Sequence, residues 1–312
     1  MSFIQSPFGL TVLMILGLTM FGAPIGLSMI GTSIFYLFFV GQDIGIAAEQ
    51  LLQGIYNSYT LLSVPLFIIA ANFMSLGAMS DKLMQFCNAL VGRFRGGMGH
   101  VNVISSLIFA GMSGSAVADA VGIGKLTIEM MVKDGRYTPS YAAAITAATA
   151  VIGPIIPPSI PMVLFALVSD ASIGYLFLAG VIPGILMALA MSIVNWRMAI
   201  KHNFPVEAPV PLRELPRITW ESLPALMMPV VLLGGIYGGV MTPTEAAAVA
   251  ATYALIVSWL LYRSVTLRAT YASLISSARN TASVGILIAG ALVFNYVVTI
   301  ENIPVDIKLW LD

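Results

Sequence analysis

Charged residues are scarce in this chain. Only 9% of its 312 residues are Asp, Glu, Lys or Arg, whereas about a quarter of the residues of a soluble domain are charged. Hydrophobic residues make up 59% of the sequence, and the mean hydropathy is +0.95. This composition excludes an ordinary soluble domain and predicts an all-α polytopic membrane protein. The formal net charge is zero, so the composition gives no indication of nucleic-acid binding.

Cysteine and histidine are also rare. The single cysteine, Cys87, excludes an internal disulfide, and the two histidines are His100 and His202. The "GMSG" around Ser113 resembles the nucleophile loop of an intramembrane serine protease. Nucleophilic catalysis by a serine requires a histidine within hydrogen-bonding reach of its hydroxyl. There is no Walker A sequence for ATP hydrolysis. We therefore predict that the chain is not an enzyme and uses no cofactor apart from a coupling ion.

Apolar stretches and polar interruptions divide the chain into segments. A helix needs about 20 residues to cross the hydrocarbon core, so apolar runs of 30 or more are not single spans. The polar stretch around "FPVEAPVPLRELPR" is too rich in proline to be helical throughout. The sequence thus predicts N-terminal membrane helices with a periplasmic interfacial helix (1–60), a first repeat (61–196), a cytoplasmic linker (197–222) and the start of a second repeat (223–312).

The run over residues 98–131 is best explained as a re-entrant hairpin. If it enters and leaves the membrane on one side, twelve of the fourteen basic residues share that side, which the positive-inside rule makes cytoplasmic. The exceptions are Lys125 within the hairpin and Lys308 on the opposite side. A single crossing would instead place Lys133 and Arg136 outside. Each arm of about 15 residues reaches roughly 22 Å, which is too short to cross.

Polar residues gather at the expected tip of this hairpin, in "FAGMSGSAVADAVGIG" (109–124). Ser113, Gly114, Ser115 and Asp119 interrupt an otherwise apolar segment. Irregular backbone at membrane depth survives only where protein or a water-filled cavity surrounds it. Two structural alternatives stay open: the serines pack helices closely, and Asp119 caps the first turn of the second arm.

A second unusual stretch, "ATAVIGPIIPPSIPMVLF", lies in the span 140–168. Its glycine and its prolines at 154, 157, 158 and 161 do not fit one regular helix, so we predict a broken helix. Unwound carbonyls suit sodium, and half-helix N-termini suit anionic groups. The hairpin tip meeting this break would therefore form a site for sodium and a carboxylate. We predict Asp119, Ser115 and Ser159 as substrate contacts.

A weak internal similarity relates residues 66–86 to residues 286–311, with opposite orientations relative to the membrane. Inverted-topology repeats of this kind are typical of secondary transporters. The offset places a second hairpin beyond residue 312, so we expect the second repeat to be incomplete in this chain.

Four motifs together resemble the large membrane (M) subunit of tripartite ATP-independent periplasmic (TRAP) transporters, over essentially all 312 residues. They are "LIFAGMSGSAVADAVGIG", "AATAVIGPIIPPSIPM", "SIGYLFLAGVIPG" and "TPTEAAAVAATYAL". The resemblance implies an elevator-type transporter in the bacterial inner membrane that imports an organic acid with sodium. It also implies two partners, a periplasmic substrate-binding protein and a small four-helix membrane subunit. Its sodium site would use Ser113, Ser115, Gly153 and Ile156, with Asp119 near the substrate.

Two other functions stay open at the level of sequence. One is a sodium/dicarboxylate symporter or antiporter that needs no binding protein. The other is a scaffolding membrane subunit without its own site. Ser113, Ser115 and Asp119 are the residues that distinguish a transport subunit from a scaffold.

Overall fold

The computed structural model describes residues 6–56, 59–76, 78–133, 135–169, 171–204, 206 and 209–305. Within these residues the regular structure is helical, apart from one isolated bridge between Arg95 and Val206. The α-helices are, in chain order, α1 (Pro7–Met20), α2 (Ile25–Val40), α3 (Gly45–Tyr56), α4 (Ser63–Ser75), α5 (Ala78–Val91), α6 (Gly97–Ser113), α7 (Ala116–Asp119), α8 (Lys125–Val132), α9 (Pro139–Ala150), α10 (Ile160–Ser169), α11 (Ile173–Lys201), α12 (Leu215–Tyr237), α13 (Pro243–Ile256) and α14 (Leu267–Ile300). The all-α class predicted from composition is confirmed.

Four helices of the described residues are long and apolar enough to cross a membrane. They are α11, α12, α13 together with its π-helical extension to Leu261, and α14. The helices α1 and α2 are apolar but shorter. Their faces expose many large hydrophobic side chains, which is the surface that a bilayer covers. These features establish a multi-pass membrane protein.

Helix starts follow capping rules. Thr242 caps α13, because its hydroxyl accepts from the amide of Glu245 while the Glu245 carboxylate accepts from the amide of Thr242. Pro243 occupies the first helical position, where its missing N–H costs nothing. This is the capping box that the sequence "TPTE" indicates. Ser6 and Thr138 cap α1 and α9 through their hydroxyls, which accept from the amides of Gly9 and Tyr141, and each is followed by a proline.

The contacts divide the chain into two compact units. One contains residues 1–59 and 279–312, and the other contains residues 60–278. The boundary thus falls within α14 and divides the predicted segment 223–312 between the units. The final amphipathic part of the proposed second repeat lies largely outside the described residues, so the inverted repeat stays a prediction.

In the first unit, α2 and α14 approach closely at two glycines. A Cβ added to Gly26 would lie 2.7 Å from the carbonyl oxygen of Ile286, and one added to Gly290 would lie 2.5 Å from that of Gly26. Small residues allow such contact between membrane helices. The Tyr36 hydroxyl also donates to the Glu301 carboxylate at 2.5 Å.

In the second unit, α4 packs on α13, α12 packs on α5 and α13, and α6 packs on α9 and α11. A salt bridge of 2.5 Å joins Lys82 of α5 to Glu221 of α12, and Arg217 donates to the same carboxylate at 2.7 Å. The predicted hairpin and the predicted broken span are held by the surrounding helices, since α6 contacts α4, α5, α11 and α12, and α10 contacts α4 and α11.

The predicted linker 197–222 contains the connection between two long helices. The helix α11 continues to Lys201, and α12 begins at Leu215. Pro216 lies in the first turn of α12, where proline is compatible with a helix. The described residues between Lys201 and Leu215 are not helical, and the assignment of the stretch as a cytoplasmic linker stays a prediction.

Candidate functional site

The segment 98–131 forms a helical hairpin. Its first arm is α6, and its second arm consists of α7, a π-helical turn at Ala120–Gly124 and α8. The first arm contacts both the π-turn and α8, so the chain folds back on itself. Gly114 makes the turn with a φ of 61°, a left-handed conformation that favours glycine. The entry of this hairpin into a membrane from one side stays a prediction.

The broken span is present at the predicted place. The helix α9 ends at Ala150 and α10 begins at Ile160, with turns over residues 151–159. Each of the two helices is therefore too short to cross a bilayer alone. The prolines of this stretch explain the interruption, because they lack the N–H that a continuous helix needs.

The hairpin tip packs directly against this break. The amide of Ile160 donates to the carbonyl oxygen of Gly114 at 3.3 Å. A Cβ added to Gly114 would lie 2.3 Å from the carbonyl oxygen of Pro158. A Cβ added to Gly153 would likewise lie 3.0 Å from the carbonyl carbon of Ser115. The two glycines thus allow the backbone of the hairpin tip to contact the backbone of the broken span. Ser115 and Gly153, which the sequence predicted as parts of one site, lie close together.

Ser113 and Asp119 are buried beside the tip without partners. Their exposed fractions are 1% each. The Ser113 hydroxyl and both carboxylate oxygens of Asp119 lack a hydrogen-bond partner within the described residues. Asp119 therefore does not cap the second arm, which is the structural alternative that the sequence left open. Buried polar groups almost always have partners, so these oxygens are available to a ligand.

Ser115 and Ser159 have structural contacts of their own. The Ser115 hydroxyl accepts from the amide of Ala118 at 3.4 Å and caps α7. The Ser159 hydroxyl donates to the carbonyl of Pro154 and accepts from the amide of Met162 at 3.2 Å. Ser159 thus caps α10, and its substrate contact stays a prediction.

Ile156 lies further along the break. Its amide donates to the carbonyl of Ile152 at 2.9 Å. Its side chain packs against α11, where a Cβ added to Gly184 would lie 2.1 Å from Cδ1 of Ile156. The structure fixes the side chain in the core, and the use of its backbone carbonyl as an ion ligand stays a prediction.

A buried polar network behind the tip was missed from sequence. The Asn102 amide donates to Thr146 at 2.7 Å, and Thr149 donates to the Asn102 side-chain oxygen at 3.1 Å. The Ser106 hydroxyl lies 3.3 Å from that of Thr149 and faces the Asp119 carboxylate without completing a hydrogen bond to it. The network ties α6 to α9. Its sequence signal was the pair of threonines three residues apart, opposite an asparagine within an apolar run.

The protease interpretation has no support in this geometry. His100 lies 13 residues before Ser113 on the same helix, which corresponds to about 20 Å along the axis. His202 follows the last residue of α11 and stacks on Phe204. The tip instead presents hydroxyl, carbonyl and carboxylate oxygens, which are the ligands of hard cations.

Broken helices inside a multi-pass membrane protein are typical of secondary transporters. The sequence motifs identify the family of transport proteins to which the chain belongs. A family model described as "Tripartite ATP-independent periplasmic transporter, DctM component" matches residues 12–312. The chain belongs to this family of TRAP transporter large permease proteins, whose members are transport subunits and not enzymes.

Curated relatives agree with this family assignment. The chain is 39% identical over 290 residues to the sialic acid TRAP transporter large permease protein SiaM of Vibrio cholerae, covering 93% of this chain and 67% of that protein. It is 35% identical to the sialic acid TRAP transporter permease protein SiaT of Haemophilus influenzae, covering 92% of this chain and 46% of that protein.

The similarity extends to a relative with another substrate. The chain is 34% identical to the C4-dicarboxylate TRAP transporter large permease protein DctM of Vibrio cholerae, covering 95% of this chain and 70% of that protein. The chain thus spans about half to seven tenths of the length of these relatives.

Proposed function

We propose that the chain is the part of a sodium-coupled organic-acid importer that carries one ion site, at the contact between the hairpin tip and the broken helix. The observation that carries this proposal is the pair of buried, unpartnered groups, Ser113 and Asp119, on the two arms of the hairpin whose tip makes that contact. A buried carboxylate without a partner is strongly unfavourable, and a cation would compensate it.

The ligands of this ion come from both elements in the proposal. Ser113 and Ser115 supply oxygens from the tip, and the backbone around Gly153 and Ile156 supplies carbonyls from the break. The close approach of Ser115 and Gly153 supports this assignment. Asp119, Ser115 and Ser159 are the proposed contacts of the substrate. The cation would lie close to both the Asp119 carboxylate and the substrate carboxylate and would offset the repulsion between them.

The substrate is an organic acid in this proposal. The relatives described above are a sialic acid and a C4-dicarboxylate TRAP transporter protein, and both of these compounds are carboxylates. The partners are a periplasmic substrate-binding protein and a small membrane subunit, in the bacterial inner membrane. The movement is of the elevator type, in which the hairpin and the broken helix carry the ion and substrate together. The family assignment supports the binding-protein-dependent importer over the symporter and the scaffold.

Substitution of Ser115 tests the proposal. In the assembled transporter, we expect Ser115→Ala to reduce sodium-dependent uptake of the organic acid and to raise the sodium concentration needed for half-maximal uptake. The fold should persist, because the hydroxyl makes only a 3.4 Å contact with Ala118. Uptake is measured against sodium concentration at constant ionic strength.

Ser283→Ala is the matched control, since Ser283 is exposed on α14 and donates to the carbonyl of Arg279. This variant should leave the sodium dependence of uptake unchanged. An unchanged sodium dependence in Ser115→Ala, at normal expression, would count against an ion ligand at this position.

A further inference from the structure

A groove of about 630 Å³ lies between α9 and α11, on the second unit of the protein. One face of each helix lines it, with residues three or four apart: Tyr141, Ala144 and Ala148 on α9, and Met191, Val194 and Met198 on α11. The walls are mainly apolar. Ala144, Ala148, Val194 and Met198 are exposed, so the groove is open to whatever surrounds the protein.

One end of the groove is polar and aromatic. The rings of Tyr141 and Phe204 lie 4.6 Å apart, and His202 stacks on Phe204 at 5.8 Å. The Tyr141 hydroxyl donates to the side-chain oxygen of Asn195, whose amide donates to the carbonyl of Gly96 at 3.2 Å. Aromatic residues with polar groups are typical of the membrane–water interface. The groove therefore runs from an interfacial end into the apolar zone.

The charge at the interfacial end is positive. Arg197 and Lys201 lie in the last two turns of α11 beside Met198 and His202, and both residues are exposed. Neither forms an ion pair with another described residue. The sequence places both on the face with most of the basic residues, which is the predicted cytoplasmic side. That leaflet carries anionic lipid, and basic pockets between membrane helices on this side suit anionic headgroups.

We propose that this groove is a binding site for an anionic phospholipid. One acyl chain lies between α9 and α11, and the phosphate lies at the His202 end near Arg197 and Lys201. The two methionines of the wall are flexible and adapt to an irregular chain. The stretch from Tyr141 to Ala148 is about 10 Å long, enough for the upper part of an acyl chain. This site is separate from the ion site and does not depend on the proposed transport function.

Blocking the groove tests the proposal. The protein is purified in mild detergent, exchanged into nanodiscs of phosphatidylglycerol and phosphatidylethanolamine, and analysed by native mass spectrometry for retained lipid. We expect the wild-type protein to retain phosphatidylglycerol preferentially. Ala144→Phe fills the groove with a ring and should lower this retention about tenfold, as expected when apolar contacts are lost.

Ala143→Phe is the matched control, because Ala143 is exposed on the same helix but does not line the groove. It should retain phosphatidylglycerol like the wild type. Equal retention in Ala144→Phe and Ala143→Phe would overturn the proposal, as would retention of a peptide in place of a phospholipid.

The headgroup is tested separately. The double variant Arg197→Gln with Lys201→Gln should lose the preference for phosphatidylglycerol over phosphatidylethanolamine and keep the binding of one lipid. Arg268→Gln, at an exposed position on α14, serves as the control and should keep the preference. A preference that survives the double variant would overturn the assignment of an anionic headgroup at this end.

Discussion

For Ser113 and Asp119, the sequence predicted the place of the site but not the hydrogen bonding of the two side chains. The polar cluster at the tip identified both as candidate site residues. Sequence alone left a capping role for Asp119 equally consistent, because first-turn carboxylates often serve that purpose. The structure leaves the oxygens of both residues without partners. The lack of hydrogen-bond partners depends on how the neighbouring helices pack, and it could not be predicted from the sequence.

Gly114 makes the contact between tip and break sensitive to a single methyl group. We expect Gly114→Ala to lower the stability of the protein, because the left-handed conformation costs about 1–2 kcal/mol with a Cβ. The new methyl would also clash with the carbonyl oxygen of Pro158 at 2.3 Å. Thermal unfolding of the purified protein measures the effect.

Gly239→Ala isolates the clash from the backbone strain. Gly239 has a φ of 67°, and a Cβ there would have no neighbour within 4 Å. We therefore expect a smaller loss of stability for Gly239→Ala than for Gly114→Ala. Equal losses of stability in the two variants would contradict the close contact between Gly114 and the carbonyl oxygen of Pro158.

At the scale of elements, the prolines of residues 154–161 correctly predicted the break between α9 and α10. Proline within α9–α10 removes donors in the middle of a span, whereas Pro216 sits at the start of α12, where no donor is needed. Position within the helix therefore decides whether a proline interrupts it. The polar network from Asn102 to Thr149 escaped prediction, because it joins two helices more than 40 residues apart.

Cysteine labelling tests the direction of the hairpin. We expect Lys133→Cys and Arg217→Cys to react with a membrane-impermeant thiol reagent only from the cytoplasmic side, because the hairpin enters and leaves the membrane on that side. Lys133 is exposed after α8, and Arg217 is 81% exposed near the start of α12. The measurement uses oriented membranes with Cys87 replaced by Ala.

Labelling of position 133 from the periplasmic side would refute the re-entrant hairpin, because it requires a single crossing of residues 98–131.

At the scale of the whole molecule, composition and motifs sufficed for the class and the family. The chain is a multi-pass membrane protein of the TRAP large permease family, as its hydropathy and four motifs indicated. The grouping of residues 279–305 with the N-terminal helices was not foreseen. This grouping depends on the close contact of α2 and α14 at Gly26 and Gly290. Such a contact requires complementary surfaces on two segments that are far apart in the sequence.

Sodium-dependent stabilisation of the purified protein is the most direct test of an ion held between the hairpin tip and the broken helix. A ligand that binds only the folded state stabilises it by about 2.7 kcal/mol at a concentration 100 times its Kd. Thermal unfolding is therefore compared in sodium chloride and in choline chloride of equal ionic strength, for the wild type, Ser113→Ala and Ser283→Ala. We expect sodium to stabilise the wild type and Ser283→Ala, and to have little effect on Ser113→Ala. Equal stabilisation of all three proteins, or none of the wild type, would contradict the proposed site.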